Sequence, residues 1–386
     1  MTITIDIHAL QTLPPSNINR DDTGAPKSAI FGGVPRQRVS SQSWKRAIRH
    51  TFEKELPPGS LGFRSKHLAD LIAQQIIDVT ADSTEAWDRE RAADAVKQLF
   101  HVAKIKLNEG TKADESDPSG DSDANLQVNA GTTGYLLFLS PKQIENAARE
   151  LVALDGTKPT KRLADRVLDS EHSIDIALFG RMVANAAQYN VDAACQVAHA
   201  IGIHSSEPEF DFYTAVDDIV EDREETGAGM LGTMQMMSST LYRFASIDME
   251  SLAENLGDSD ASVAAAVAFI HAFITSLPTG KQNSYAHNTL PELVFIAVRD
   301  TRSVSLVNAF ESAIQTSDGE SRRAEGAKRL AAEEREIEQA YGFVPSAAFV
   351  LGHSSLTSEF GEIATSVTLS ALDEQLRGAL HSKDRS

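Results

Sequence analysis

The sequence predicts an α+β protein, a mixed core interrupted by two excursions. Three observations point there. Short apolar strand patterns and helical patterns follow one another irregularly along the chain, which fits α+β better than a doubly wound sheet. The chain has 386 residues, 41% hydrophobic and 24% charged. That is enough for two or three domains, or for one domain with large insertions around a sizeable core. Two stretches, 108–125 and 217–232, are acidic and rich in Gly or Ser, a composition that does not build a core.

Element by element, Thr2 to His8 alternates polar and apolar residues, with Ile3, Ile5 and Ile7 on one face. This is a half-buried strand, which Pro14 and Pro15 end. Ser16 to Gly33 reads as a loop. Val34 to Val39 is extended, with Arg36 and Arg38 on one side. Ser40, Ser41, Gln42 and Ser43 offer N-caps to a helix from Trp44 to Leu56. Its apolar positions Trp44, Ala47, Ile48, Phe52 and Leu56 follow the helical period. Lys45, Arg46, Arg49 and His50 fall on its other face, and Pro57 and Pro58 stop it. Leu61 to Leu107 reads as two or three helices, and Asn108 to Asn125 as a disordered or very mobile loop.

Further along, Pro141 to Ala153 and Thr160 to Leu168 are helical patterns, and Ile174 to Met182 is a buried strand. Val191 to Ile203 fits helix or strand, its small residues favouring helix. Leu241 to Ile247 is a strand and Ala261 to Leu277 an apolar, mostly buried helix. Lys281 to Asn288 is a polar loop and Leu293 to Val298 a buried strand. Arg322 to Ala340 is an exposed helix rich in Glu, Arg and Ala. Leu372 to Leu380 is a short final helix. There is no internal repeat.

Composition excludes several classes. No apolar run approaches the ~20 residues of a spanning helix, and Met1 to His8 lacks the basic and apolar segments of a secretory signal. A single cysteine, Cys195, excludes an internal disulfide framework and a multi-cysteine zinc site; its apolar neighbours mark it as a buried thiol. A reducing cytoplasm is the expected location. Gly227 to Gly232 matches G-x-G-x-x-G, but the acidic run Glu221 to Thr226 precedes it where a dinucleotide site needs a strand. It reads as a flexible glycine loop. Asp217, Asp218, Glu221, Asp222, Glu224 and Glu225 read as solvated acids, not a Mg²⁺ site. His199 and His204 have the spacing of neither a helix face nor a strand face. No cofactor and no metal are expected.

The charge distribution is more telling. The net charge is −19, yet Lys27 to His50 holds six basic residues (Lys27, Arg36, Arg38, Lys45, Arg46 and Arg49) and no acid. Subtracting that +6 from the total leaves −25 on the other 362 residues. An acidic body carrying one basic window points to a local phosphate-binding patch; the plainer alternative is a solvated basic face. A loop bearing Arg20 and Lys27 leads into Ser40 and Gln42 at a helix start, a phosphate cradle of hydroxyl, amide and backbone N–H groups. Lys45 and Arg49 are i,i+4 neighbours that project together, with Arg46 beside them. Little in this set reads bases, so backbone binding independent of sequence is implied.

These residues resemble a known family. Asn19-Arg20-Asp21-Asp22, Lys27 with Ala29 to Gly33, and Arg38-Val39-Ser40-Ser41-Gln42-Ser43-x-Lys45-Arg46-Ala47-x-Arg49 are similar to the CasC-type backbone subunit of the type I-E CRISPR surveillance complex, Cascade. So are Asp175 to Leu178 with Gly180-Arg181-Met182, Phe212 to Asp218, Leu231-Gly232-Thr233, Tyr242 to Ala245, Lys281-Gln282 and Asn308 to Glu311. The match is poor over Pro57 to Ser173 and fades beyond Arg322.

The resemblance implies an RRM-like (ferredoxin-like) palm, a large helical fingers insertion and a β-hairpin thumb. Bounds follow: palm at 1–56, 174–204 and 238–386, the last with the C-terminal helices; fingers at 57–173; thumb at 205–237. It implies a non-catalytic subunit with several copies along one crRNA, each thumb kinking the guide held by its neighbour, so that target DNA pairs in interrupted segments. The implied partners are crRNA, target DNA through the guide, further copies of the chain, and the large, small, 5′-handle-binding and crRNA-processing subunits; a membrane is not among them. Arg20, Lys27, Ser40, Gln42, Lys45, Arg46, Arg49 and Arg181 match positions near the RNA backbone. Met182 matches a methionine packed at the kinked base, although a core methionine is the commoner alternative. Phe212, Tyr213, Thr214 and Leu231 match thumb positions at the kink. A basic DNA-binding patch on the fingers has one compact candidate, Lys158, Lys161 and Arg162. The rival reading is a metal-dependent endoribonuclease of a related CRISPR complex, using Asp21 and Asp22 beside the cradle.

Overall fold

The structure is a computed structural model that describes residues 2–83, 85–108, 128–215, 230–316 and 321–381. Most of the loop expected over 108–125 and most of the stretch 217–232, with its six acids, lie outside the described residues. In chain order the elements are β1 (Thr4–Ser16), β2 (Ser28–Phe31), β3 (Val34–Val39), α1 (Ser41–Glu55), β4 (Phe63–Ser65), α2 (Leu68–Thr80), α3 (Arg89–Val102), β5 (Leu107–Asn108), β6 (Thr132–Thr133) and β7 (Leu137–Leu139). Next come α4 (Pro141–Leu154), α5 (Lys161–Leu168), α6 (Ile174–Phe179), β8 (Cys195–Val197), β9 (Ala200–Gly202), β10 (Glu209–Ala215), β11 (Met230–Asp248), α7 (Met249–Leu256), α8 (Ser259–Thr275) and α9 (Gln282–Tyr285). The chain ends with β12 (Leu293–Arg299), α10 (Arg322–Tyr341), β13 (Ala347–Gly352), α11 (Ser354–Thr357), β14 (Thr365–Ser366) and α12 (Leu369–His381).

Two compact units result. The first comprises 1–52, 196–249 and 263–386, and the second 53–195 and 250–262. The first is built on one sheet in the order β14-β13-β12-β1-β11-β9-β3-β2, with β8 and β10 also pairing to β11. Its named pairings are antiparallel except β13 with β14, so the mixed α/β composition is of the α+β kind. β1 lies at the centre, hydrogen-bonded to β11 and β12. Ile5, Ile7, Ala9 and Leu10 are all fully buried, which means both faces of this strand are covered. One face packs Leu10, Tyr242 and Phe295 against Phe310 and the Ala327–Leu330 side of α10. On the other, Leu13, Val39 and Leu241 meet Trp44 of α1.

Several elements differ from the sequence reading for physical reasons. β1 does not stop at Pro14: the pairing Leu13↔Ser239 passes to Ser16↔Met237 through one extra residue, and such a bulge accommodates prolines that cannot donate to the ladder. Within the segment read as a loop lies β2, which forms a hairpin with β3 closed by Gly32 and Gly33, both at positive φ, the two-residue turn that suits strand twist. Val191 to Ile203 is not helix, because β9 is captured between β11 and β3. Ile174–Phe179 is helix, not strand; short buried apolar runs have no distinguishing period. The buried Asp175 carboxylate fixes the turn, accepting from the amides of Gly62 and Ile176 and from the Ser173 hydroxyl.

Within 281–288, expected to be loop throughout, lies the short α9. Nor is α10 simply exposed: Gly326, Ala327, Leu330, Ala331 and Glu334 are buried. Glu334 accepts both its hydrogen bonds from Arg299, at 2.9 and 2.8 Å, and Arg299 also holds Asp6 at 3.0 Å. The second unit packs α2, α3, α4 and α5 around Ile72, Val96, Leu99, Ile144, Leu151 and Leu163, flanked by the small sheets β4–β7 and β5–β6. A capping box between Ser140 and Gln143 starts α4. Among the described residues no single helix is long and apolar enough to cross a membrane.

Candidate nucleic-acid interface

The start of α1 gathers groups from four separate segments. Trp44, Ala47, Ile48 and Phe52 are buried, which turns the opposite face of the helix outward. Ser40 is the N-cap: its hydroxyl accepts from the Ser43 amide at 3.3 Å. Its own N–H donates to the Asn19 side-chain oxygen at 2.8 Å. The Asn19 carbonyl accepts from the Lys27 amide at 2.9 Å, and the Lys27 carbonyl accepts from the Arg38 amide at 2.9 Å. Asn19 thus ties the Arg20–Lys27 loop both to β3 and to the helix start.

The Ser41 N–H donates to Nδ1 of His199 at 2.9 Å. That bond requires an unprotonated Nδ1. Partial burial, then the charges of Arg38 and Lys27, lower the His199 pKa. Lys27 and Arg38, paired through their backbones, thus lie near the imidazole that meets the helix N-terminus, where amide dipoles also favour an anion. Arg20, Gln42 and Arg46 are exposed, while Lys27, Arg38, Lys45 and Arg49 are half-buried. Arg46 Nε donates to His50 at 3.4 Å.

Beneath the helix lies a buried cation. Arg243 stacks over the Trp44 ring, 3.7 Å from its centroid, and over Phe273 at 4.3 Å. It donates to Gln11 at 2.7 Å and to the Phe273 carbonyl, and among the described residues no carboxylate pairs with it. Burial lowers its pKa to about 9. A cation held in low dielectric under α1 adds to the positive potential at the helix start.

Asp21 is occupied within its own loop. Its carboxylate accepts from the Thr23 amide (2.9 Å), the Thr23 hydroxyl (2.7 Å) and the Ala25 amide (3.0 Å). These bonds, led by the Thr23 hydroxyl, hold its carboxyl below the usual range. Asp22 is exposed beside it. Among the described residues no three His, Cys, Asp or Glu side chains converge as metal ligands.

β10 and β11 project as a two-stranded ribbon with Phe212↔Thr233, Tyr213↔Gly232 and Thr214↔Leu231 opposite one another. Phe210 and Phe212 share one side and are 72% and 64% exposed. Tyr213 lies on the other side across Gly232, where a Cβ would stand 2.4 Å from the ring; the glycine lets the ring lie flat on the strand. The side chain of Leu231 and residues 216–229 lie outside the described residues.

In the second unit, Met182 is 78% exposed. A cavity of about 1070 Å³ is lined by Lys97, His101, Lys104, Lys106 and Lys158, among others, brought together from α3, the segment after it and the turn before α5.

A family model described as "CT1975-like protein" matches residues 5–375. The chain belongs to this family. Among solved structures, a chain of a "CRISPR RNA-guided surveillance complex, pre-nicking" shares 32% identity with a TM-score of 0.77, over 97% of this chain and 100% of that one. A chain of a "CRISPR RNA-guided surveillance complex" shares 28% identity with a TM-score of 0.70, over 97% and 99%. Comparison with curated proteins finds no match.

Within this family member, Gln42, Lys45, Arg46 and Arg49 lie on α1, Arg20 and Lys27 on the loop tied to its start, and Arg181, Arg36 and Ser40 have partners within the fold. Arg181 is buried, and its donors meet acceptors within its own unit. Its Nε donates to the Tyr189 carbonyl at 2.8 Å, Nη2 to that of Leu168 at 2.8 Å, and Nη1 to Phe138 and Gln143 at 3.4 Å each. Burial, partly offset by Asp169, lowers its pKa to about 10. Arg36, counted in the basic window, is buried and donates to the carbonyls of Gly202, Phe310 and Glu311. The hydroxyl of Ser40 serves the helix as its cap. Met182, conversely, is not a core residue. Sequence reasoning missed Arg38 and His199 as members of the site. Arg38 sat in the basic window with a signal available, since a strand arginine leading into a helix start points at that start. For His199 there was none, because its partner lies 158 residues away.

Proposed function

We propose that the chain is a crRNA-binding backbone subunit of a CRISPR RNA-guided surveillance complex of the Cascade type and, within that class, the CasC-type subunit of type I-E. The observation that carries this reading is the placement of Lys27 and Arg38 near a capped helix N-terminus, with Lys45, Arg46 and Arg49 along the first turns of the same helix, in a chain of net charge −19. The −25 on the rest of the chain would repel a polyanion elsewhere, so the local cluster defines where phosphates are held. A cluster made of phosphate-binding groups fits a subunit that grips any guide sequence by its backbone.

In this reading 1–56, 174–204 and 238–386 act as an RRM-like palm, 57–173 as fingers and 205–237 as a thumb. Phe210, Phe212 and Tyr213 on the ribbon supply apolar surface for a base pushed out of the stack, in the strands that also carry Thr214 and Leu231; Met182, in the second unit, is an apolar RNA contact of its own. Unstacking costs a few kcal/mol, which an apolar wedge offsets in part. The lysine-lined cavity of the second unit supports a role for the fingers in holding target DNA, extending the candidate set Lys158, Lys161 and Arg162. Copies assemble head to tail along the guide, together with large, small, 5′-handle-binding and crRNA-processing subunits, in the cytoplasm. The subunit is non-catalytic. Asp21 is engaged by three hydrogen bonds from its own loop, which favours a structural role over metal ligation for that carboxylate.

The test is purification followed by nuclease assay. The chain is expected to co-elute with RNA and to leave it intact in Mg²⁺. Cleavage that disappears in Asp21→Ala or Asp22→Ala would establish the endoribonuclease instead, and RNA-free protein at every concentration would overturn both readings.

A further inference from the structure

The segment Thr279–Ser284 stands out on three independent grounds. The first is conformation: Lys281 and Ala286, neither of them glycine, both sit in the left-handed region at φ 54° and 46°, flanking the single turn of α9. Such strained positions persist only where the surroundings hold them, and they concentrate at ligand clamps.

Position is the second ground. Gly280 is pressed onto the 17–18 backbone so closely that a Cβ would stand 2.2 Å from the Ile18 carbonyl oxygen. Ile18 leads directly into Asn19 and Arg20, the tether and first cation of the cradle. Tyr285, next in the chain, is raised in pKa by burial and then by the charge of Asp211 in β10, and its hydroxyl has no hydrogen-bond partner. The segment is therefore packed directly against the residues that lead into the cradle.

Chemistry is the third. Thr279, Lys281, Gln282, Asn283 and Ser284 line a cavity of about 470 Å³. Every one of these side chains carries a hydrogen-bond donor and none is a carboxylate. Gln282 is partly engaged, donating to Asn288; Asn283 and Ser284 are exposed and Lys281 half-exposed.

We infer that Thr279–Ser284 is a second phosphate-binding loop, in which Lys281, Asn283 and Ser284 take the RNA phosphodiester backbone as it leaves Arg20. This rests on the RNA-binding reading above and extends it to residues to which that reading gives no role.

The experiment measures binding of a mixed-sequence single-stranded RNA oligonucleotide to the full chain across a salt series, with Lys45→Glu alongside. Lys281→Asn removes the charge while keeping a residue that tolerates left-handed backbone. It is expected to weaken binding severalfold and to lower the log–log salt slope by about 0.7, the value for one single-strand phosphate contact. Asn283→Asp, on an exposed site, is expected to weaken binding severalfold with the melting temperature unchanged. Parental affinity and slope in both variants, while Lys45→Glu loses binding, would overturn the loop assignment and leave the cradle standing. Parental binding in all three would overturn the cradle reading as well. Should Lys281→Asn fail to fold, Asn283→Asp alone decides between the first two outcomes.

Discussion

The α1 face and the Arg181 pocket use the same side-chain chemistry to opposite ends. Around α1, Arg46 and Arg20 are exposed and the helix turns its apolar side inward on Trp44 and Phe52. At Arg181 the guanidinium is enclosed by the carbonyls of Phe138, Leu168 and Tyr189, with the Asp169 carboxylate at 3.7 Å. An arginine's charge is permanent, so its role is set by what has already consumed its donors. Arg181 closes loops between α5, β7 and the 187–189 turn; the α1 cations lie off the helix face that buries Trp44 and Phe52. A motif shared along the chain does not distinguish these cases, because it records residue types and not which carbonyls the fold brings to them.

The largest contrast should come from charge reversal on the exposed side. Lys45→Glu with Arg49→Glu is expected to abolish RNA retention at moderate salt while the circular dichroism spectrum and melting temperature stay close to the parent's, since neither residue belongs to the buried face. Unfolding of that double variant would mean that the helix depends on these cations structurally.

On the enclosed side the prediction is reversed. Arg181→Met leaves several buried carbonyls without donors, at about 1–3 kcal/mol for each unsatisfied group, and a loss of roughly 3–5 kcal/mol overall is expected from chemical denaturation. A stable Arg181→Met that binds RNA weakly would instead restore Arg181 to the interface.

Buried and exposed titratable groups extend the comparison to pH. His8 is fully buried beside Tyr242, and burial, then Arg299, lowers its pKa well below the ordinary 6.5. The folded state therefore favours neutral imidazole. Stability from this group is fully present above the unfolded value of 6.5 and is lost as pH falls from there towards the depressed folded value. Asp6 and Glu334, both raised chiefly by burial, act in the opposite sense: protonation at low pH is easier in the fold than in the unfolded chain. Unfolding free energy measured between pH 7 and 5 should fall, and His8→Phe should flatten that fall by up to about 1.4 kcal/mol per pH unit. An unchanged profile would remove His8 from the explanation.

The smallest effect is expected at Met182. With its side chain mostly in solvent, Met182→Ala should shift stability by no more than about 0.5 kcal/mol, while bases at the kinked positions become less reactive to single-strand probes in the assembled complex. A large loss of stability would return it to the core.

Much of the first unit could be read from the residues. The buried stripe Trp44, Ala47, Ile48 and Phe52, the Ser40 cap and the apolar run of β12 carry their structure in local pattern. The helix at Ile174–Phe179 and the strands β8 and β9 did not, because five apolar residues around Asp175 fit either period and β9 is fixed by partners at Arg38 and Leu241, distant in sequence. In the site, helix position sets Lys45, Arg46 and Arg49 off the apolar face, Arg46 exposed and the other two half-buried. Arg181, Arg36 and Arg243 were illegible for one reason: each is decided by carbonyls or rings that only the tertiary fold supplies.

The most direct measurement is the salt dependence of single-stranded RNA binding across two sets of variants. Neutralising Lys27, Arg38, Lys45 or Arg49 one at a time should lower the log–log slope by about 0.7 each, whereas Arg181→Met should leave the slope at the parent's value whatever it does to stability. A slope that falls for Arg181→Met, or that stays at the parent's value for all four cradle variants, would contradict the assignment of RNA phosphates to the start of α1.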